Sequence, residues 1–556
     1  MRLTIPENGQ DDKVCHQIDM GMLQEVVPPS MIEELLDTYQ MWEERERKTN
    51  MIGIIYWLMA LHLYPKLSQR DVYAKMVSGL RTTRDDISKE IPVRSAFSYR
   101  REQLGSEILQ ELFTQVAGPK ASEQTPGAFW KGMRLLAIDG TVESVADTPD
   151  NREAFRYSTD DESTHSPFPL ARLLLLVECG THLICDVEIS SCRQAEARGV
   201  LLLLERWVLE KSLILWDSGF HSSAAVFDVR ARGGHVLGRL ACNILLKPFC
   251  TLVDGSYLIS IHQDQTHQRG ERMLVRVIPY TFTDSRIPGA GEQVYRLVTT
   301  LLDPFLYPAR EMAVLYHERW HAELVIDETR THLRLSARTL RSLTPEGVIQ
   351  EIYACLLTHI VIRTLMQTVA EQALISPTQI SFTATIRLMD DNLIPLGLVN
   401  APRRQHIVES TLEEIGQQRL PKQRVRIQAR VVKRIRSRYE RKKPEHLRAP
   451  ALELDVSFHE IIAVVSCKQE VSHTPEIPRL TAAKEASDLL PASKTRGSQT
   501  GESPTCVPPP DPHDPSSSSA DASSRSPTRP FSKPSNTRER DSKTGRFKAT
   551  RVDVPD

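Results

Sequence analysis

A chain of 556 residues is too long for one compact core, so two or more domains are expected. Its 70 Lys and Arg nearly cancel 71 Asp and Glu, for a formal net charge of −1. That balance excludes attachment to polyanions by bulk charge and confines any nucleic-acid contact to a local basic stripe. Nine cysteines, scattered from Cys15 to Cys506 with no C-x-x-C pair, argue against a disulfide-stapled scaffold and a closed zinc ribbon.

The N-terminus, MRLTIPENGQDDK, is polar and acidic, unlike a signal peptide. The longest uncharged apolar stretch, Met51 to Tyr64, is too short to span a bilayer. No membrane contact and a cytoplasmic location are therefore expected. Residues 1–118 read as a helical N-terminal domain. Ile32, Leu35, Leu36 and Tyr39 recur at helix spacing, Met51 to Tyr64 suits a buried helix, and Ser68 stands as an N-cap with Gly79 as a stop. The Gly-, Pro- and Ser-containing GPKASEQTPGAFWKG then reads as a linker.

From Met133 the period changes. RLLAID is an apolar run ending in an acid, and ARLLLLVEC and THLICDVEI read as strands joined at Gly180-Thr181. RQAEARGVLLLLERWVLE has a helical pattern, and SLILWD is a second apolar run ending in an acid. Short β-like runs (LLKPFCTLV, SYLISI, ERMLVRVIPY, QVYRLVTT) occupy about 234–305, and helical pattern returns from Pro308 through Met366. This order describes an α/β core, over 119–400, with a β-rich insertion. Residues 401–470 form a basic segment: Arg419 to Arg448 carry thirteen Lys/Arg against two acids, Arg434, Arg436 and Arg438 among them. The stretch reads either as a solvated amphipathic face or as a phosphate-contacting stripe. The Ser/Pro-rich 471–556 has few apolar residues to bury and is expected to be disordered and dispensable for catalysis.

Asp139 and Asp217 each terminate an apolar run. If those runs are adjacent buried strands, both carboxylates emerge at one sheet edge, where a divalent metal is the usual counter-charge; either Asp alone also reads as a turn or cap residue. Pro308 to Leu335 reads as one helix, on which Tyr316, Arg319, Glu323 and Arg330 fall within roughly 60° of arc at about 100° per residue. An acid between two guanidiniums suits metal-assisted phosphodiester chemistry, and equally an exposed face of paired charges. A competing motif overlaps it: His317-Glu318-Arg319-Trp320-His321 satisfies H-E-x-x-H, the helical zinc-peptidase signature.

AIDGT around Asp139, WDSGF around Asp217 and YHERWHAELVIDETRTHLR around Glu323 together resemble the three catalytic blocks of bacterial DDE insertion-sequence transposases, closest to the insertion-element-four family with its Y-(2)-R-(3)-E-(6)-K block. Tyr316, Arg319 and Glu323 match that block; Arg330 stands where the family has Lys, and Ser218 where relatives more often carry Arg or Gly. The likeness runs over roughly residues 15 to 445. It implies an RNase H-like core with the β insertion between the second Asp and the Glu, and makes Asp139, Asp217 and Glu323 the catalytic ligands of two Mg²⁺ ions, with Mn²⁺ able to substitute. Tyr316, Arg319 and Arg330 would contact DNA. The implied partners are double-stranded inverted-repeat ends and target DNA, with a homodimer bringing two ends together at the bacterial nucleoid. The implied activity is metal-dependent end cleavage and transfer of the 3′-OH ends. The alternatives are a zinc metallopeptidase and an inactive DNA-binding relic.

Overall fold

The computed structural model describes residues 21–42, 50–78, 91–160, 165–241, 246–264, 268–281, 294–333, 339–397 and 401–420, with isolated positions between them. The chain divides into units 1–452 and 453–556, and every described residue lies in the first. The basic stretch beyond Leu420, with Arg434, Arg436 and Arg438, and the Ser/Pro-rich tail fall outside the described residues, as does Gly79.

The N-terminal segment is helical: α1 (Pro29–Thr38), α2 (Met51–Leu63), α3 (Gln69–Met76), α4 (Arg94–Leu104) and α5 (Glu107–Val116). Local chemistry sets the starts. Asn50 Oδ1 accepts the Gly53 N–H at 2.6 Å to open α2, and Ser68 Oγ accepts the Asp71 N–H at 3.2 Å to open α3, the cap expected from sequence. α2 is apolar all round because it is buried nearly all round, with Trp57 stacked on Phe97 of α4.

A ten-stranded sheet follows: β1 (Phe129–Trp130), β2 (Met133–Ser144), β3 (Leu170–Glu178), β4 (Leu183–Ser191), β5 (Ser212–Trp216), β6 (His235–Arg239), β7 (Cys250–Thr251), β8 (Tyr257–Asp264), β9 (Arg269–Tyr280) and β10 (Tyr295–Thr299). The order is β4-β3-β2-β5-β6-β10-β9-β8-β7, with β1 beside β2. β2, β3 and β4 form an antiparallel meander, and β5 and β6 run parallel to β2. The turn between β3 and β4 needs Gly180, since a Cβ there would lie 2.5 Å from the Ala128 backbone nitrogen. Helices α6 (Pro149–Phe155), α7 (Glu196–Glu205) and α8 (Ser223–Ala231) lie between strands.

The β-rich runs expected before Glu323 are β7 to β10, but they form no separate layer: β10 pairs with β6 and carries the same sheet onward. β6, grouped with the insertion by sequence, instead pairs in parallel with β5 and continues the core. Its five residues include Gly238, whose missing Cβ makes room for Trp216; a Cβ there would stand 2.2 Å from Trp216 Nε1.

Beyond the sheet the expected single helix from Pro308 to Leu335 is a helical path of changing pitch. It runs as α9 (Ala309–Leu315), a 3₁₀ turn (Tyr316–Arg319), α10 (Trp320–Asp327) and a π turn (Glu328–His332). Helices α11 (Pro345–Ala373), α12 (Phe382–Gly397) and α13 (Ala401–Gln417) complete the described chain. α11 is long and apolar enough to cross a membrane by length and composition, yet 89% of its most apolar window is buried against protein. Thr358 on α11 donates to the Met59 carbonyl of α2 at 3.1 Å, so the N-terminal helices and α11 share a core.

Alternation along β2 splits the apolar residues between two faces. Leu135 and Ala137 join the core that holds α2 and α11; Leu136 and Ile138 join a second core with Val200, Leu203 and Trp216. Odd positions of β2 therefore face α10 and α11, and Asp139 and Glu143 inherit that face.

Candidate active site

Parallel pairing of β2 with β5 sets Ile138 opposite Trp216, so the next residues, Asp139 and Asp217, stand side by side where the two strands end their pairing. Crevices outside the carboxyl ends of parallel strands are where such sheets bind ligands. Both carboxylates are tied locally in the same way: Gly140 N–H donates to Asp139 Oδ1 at 2.8 Å, and Ser218 N–H to Asp217 Oδ1 at 2.7 Å. Glu323 arrives from α10. Arg319, in the 3₁₀ turn before it, donates to Asp139 Oδ2 at 3.2 Å and to Glu323 Oε1, bridging strand acid and helix acid. Asp139, Asp217, Arg319, Glu323 and Arg330 line one cavity of about 680 Å³, to which Glu196 and Asp327 add two further acids.

Burial pushes the Asp139 carboxyl above the usual carboxylate range, with Gly140 N–H and Arg319 pulling it back and Glu323 and Asp217 adding to the rise. For Arg319, burial opposes the charge, but Tyr316, Glu323 and Asp139 outweigh it and hold the guanidinium protonated. Three hard-oxygen donors facing one cavity fit a divalent cation in kind. In this conformation the counter-charges are guanidiniums: Arg319 on Asp139 and Glu323, and Arg239 Nε on Asp217 Oδ1 at 3.0 Å. Accordingly, among the described residues no three His, Cys, Asp or Glu side chains are gathered around one ion position.

The structure thus brings together Asp139, Asp217, Glu323, Arg319 and Arg330. It does not bring Tyr316 to the cavity. That side chain is buried, and its hydroxyl donates to the Trp216 carbonyl at 3.4 Å, steadying the end of β5 beside Asp217. The tight 3₁₀ turn beginning at Tyr316 is the reason, because it departs from the 100° step that put Tyr316 on the face of Glu323.

The H-E-x-x-H segment crosses the same change of pitch. His317 packs edge-on against Tyr280 and Tyr316, whereas His321 meets His182 (Nδ1 to Nε2, 2.7 Å) and Glu318 (Nε2 to Oε2, 2.9 Å). The two imidazoles are engaged in separate surroundings and do not converge on an ion. His321 instead begins a buried polar chain. His182, pushed down to about 3 chiefly by burial, joins it to Arg363, and Arg363 and His359 both hold Glu328.

Sequence reasoning missed Arg239 and Glu143. Arg239 reaches Asp217 only because Gly238 pairs with Trp216 across two strands. Glu143 is the fourth residue after Asp139 on the same strand face; its carboxylate is fully buried and its Oε1 lies 3.3 Å from Arg330 Nε. Strand alternation was the available signal for its facing, though not for its burial.

Known proteins match the helical N-terminal segment and the region that carries the sheet. Residues 17–114 match the family model described as the insertion element 4 transposase N-terminal region, and residues 130–361 match that of the transposase DDE domain. Transposase InsG for insertion sequence element IS4, from Escherichia coli strain K12, is 27% identical over 348 residues, which is 61% of this chain and 76% of that protein. Putative transposase InsZ of the same strain is 26% identical over 140 residues, 25% of this chain and 46% of its own length. A solved piggyBac transposase synaptic complex with hairpin DNA aligns at a TM-score of 0.38 and 11% identity, over 73% of this chain and 87% of that one.

Proposed function

We propose that this chain, which belongs to the insertion element 4 family of DDE transposases and is a DNA transposase of an insertion sequence, performs its phosphodiester chemistry in the cavity between β2, β5 and α10. Asp139, Asp217 and Glu323 are its catalytic acids. The observation that carries the reading is the parallel β2–β5 register, which sets Asp139 beside Asp217, with Arg319 linking Asp139 to Glu323. The strand order β4-β3-β2-β5-β6, antiparallel only in its first three strands, supports an RNase H-like core, with β7 to β10 as the insertion before Glu323. Helices in 1–118 would serve DNA-end binding and 401–470 the basic flank.

The three carboxylates would hold two Mg²⁺ ions, or Mn²⁺ in their place, which supply an activated water or 3′-OH and stabilise the leaving 3′ oxygen. A cation held by these acids would compete with Arg319, whose guanidinium would then suit a phosphate of the transposon end. Arg330, on the rim of the same cavity, holds a second phosphate. Arg239 keeps Asp217 aligned, and the buried Tyr316 fixes the strand end that carries it. The DNA substrates are inverted-repeat ends and target duplex, brought together by a homodimer acting at the nucleoid.

The test is nicking of an inverted-repeat duplex with Mg²⁺ or Mn²⁺. Wild-type protein should nick at the repeat end and join a pre-cleaved end to target DNA. Asp139→Asn should abolish both while leaving duplex affinity within a few-fold. Wild-type cleavage by that variant would overturn the assignment, and binding without cleavage by the unmodified chain would mark it as an inactive relic.

A further inference from the structure

Two side chains of the H-E-x-x-H segment, Glu318 and His321, end a chain of hydrogen bonds whose direction chemistry fixes. Arg363 Nη2 donates to His182 Nδ1 at 2.8 Å, and a guanidinium has no acceptor to offer in return. His182 Nδ1 is therefore the acceptor, and the ring proton sits on Nε2. That N–H is donated to His321 Nδ1 at 2.7 Å, so His321 carries its own proton on Nε2 and donates it to Glu318 Oε2 at 2.9 Å. At the other end Arg363 grips Glu328 through Nε, at 2.9 Å, and through Nη2.

His321 and Glu328 mark the two ends of α10. They stand seven residues apart, about two turns, and so share one side of it, roughly 140–160° round from Glu323 at about 100° per residue. Glu323 lines the cavity from the front, while His321 and Glu328 are engaged from behind, where His182 reaches both: Nε2 meets His321, and Nδ1 lies 3.5 Å from Glu328 Oε1. The base of this support is firm. The His182 N–H donates to the Glu178 carbonyl at 2.9 Å, and the Glu178 carboxylate accepts from the Thr181 hydroxyl at 2.7 Å and the Ala121 N–H at 3.0 Å. β3, which leads into this turn, is paired with β2, the strand of Asp139. His182 itself takes the left-handed backbone conformation, with φ 61°, which glycine adopts at no steric cost and a residue with a Cβ does not. What the position gains from histidine is the imidazole, buried and bonded at both nitrogens.

We propose that His182 is a positioning residue for Glu323: by accepting from Arg363 and donating to His321 it ties both ends of α10 to the β3–β4 turn, and so sets where the Glu323 carboxylate stands relative to Asp139 and Asp217. This rests on Glu323 being a metal-holding acid, as read above. His182 lies behind the helix and acts only through it.

The experiment measures Mn²⁺ affinity of the full chain without DNA, by electron paramagnetic resonance of the free ion. Beside it run single-turnover cleavage of an inverted-repeat duplex, duplex affinity by fluorescence anisotropy, and thermal unfolding, with every assay held well below the melting temperature. His182→Asn suits the left-handed backbone, but its amide is too short to meet both partners. It should weaken Mn²⁺ binding and slow cleavage by about tenfold each, with the duplex dissociation constant changed less than about twofold. His182→Gln, whose amide can accept from Arg363 and donate to His321, should recover most of both losses. His321→Leu breaks the same link from the helix side and should match His182→Asn, so the test stands even where one of the two does not fold. In Glu323→Gln, the Mn²⁺ affinity that remains should be indifferent to His182→Asn. If His182→Asn costs the same factor with and without the Glu323 carboxylate, or lowers the melting temperature alone, His182 supports the fold at large and the inference falls while the reading of Glu323 stands. If Glu323→Gln binds Mn²⁺ and cleaves as the wild type does, the reading of Glu323 fails, and the inference with it.

Discussion

Glu143 should leave a signature in the pH dependence of stability. Burial pushes its carboxyl up to about 7 from an ordinary 4.5, because Arg330 and the Thr141 hydroxyl offset desolvation only in part. Below pH 4.5 the folded and unfolded chains both carry the proton, and the group contributes no pH dependence. Between 4.5 and 7 the unfolded chain releases it while the folded chain keeps it, so stability falls as pH rises, by up to about 1.4 kcal/mol per unit. Above 7 the loss levels off at about 3 kcal/mol, from roughly 2.5 units at about 1.4 kcal/mol each. Gln cannot titrate, so the difference between wild type and Glu143→Gln isolates this group; His182 and His221, both depressed by burial, titrate in both proteins and cancel. At roughly 2 °C per kcal/mol for a chain of this size, wild type should lose about 6 °C relative to the variant between pH 5 and pH 8 in scanning calorimetry. Parallel melting curves across that range, or a relative gain for wild type, would refute the argument.

Three further outcomes follow from particular contacts. Glu328→Ala should destabilise by about 3–5 kcal/mol, because it leaves the buried Arg363 without its carboxylate; a melting temperature within 1 °C of wild type would show that water or another acid takes the place. Gly238→Ala places a methyl against the Trp216 indole, 2.2 Å from Nε1 before any relaxation, and should cost about 1–3 kcal/mol and slow cleavage by displacing the strand end that carries Asp217; unchanged cleavage would mean that β6 shifts without moving β5. Replacing Arg434, Arg436 and Arg438 by Ala should weaken cognate and random duplexes alike and flatten the salt dependence by roughly 0.9 log unit per lost phosphate contact; an unchanged slope would return that stretch to a solvated surface, and a loss confined to the cognate repeat would mean base reading.

What the sequence could reveal of the site depended on whether one element or two set the geometry. Asp139 and Asp217 were legible because an apolar run ending in an acid describes the end of a buried strand. Arg319, Glu323 and Arg330 were legible because a helix repeats nearly enough to bring them to one side. The two-strand hairpin at Gly180-Thr181 and the Ser68 cap were local and came through intact. Tyr316 was misplaced because changes from α to 3₁₀ to π pitch leave no mark in apolar spacing, and the same change separates His317 from His321. Arg239 depends on a register between β5 and β6 that no spacing along the chain encodes.

The charge of the cavity is balanced by one residue that escaped, Arg239, and by one that was legible, Arg319. The strand and helix rules supply the acids, and acids alone would repel one another across it. Arg319 pairs with Asp139 and Glu323, Arg239 pairs with Asp217, and Arg330 lies beside an acid from the strand that carries Asp139. A divalent cation held by these acids would compete with the guanidiniums for the carboxylates, and a guanidinium so released would suit a phosphate. Metal and DNA should accordingly bind with positive coupling at this site: Mn²⁺ affinity measured on the full chain should rise when end duplex is present, and that duplex-dependent rise should be lost in Arg319→Gln, which has no guanidinium to exchange. Equal Mn²⁺ affinity with and without duplex in the wild-type chain would show that the arginines stay on their carboxylates and that the exchange does not occur.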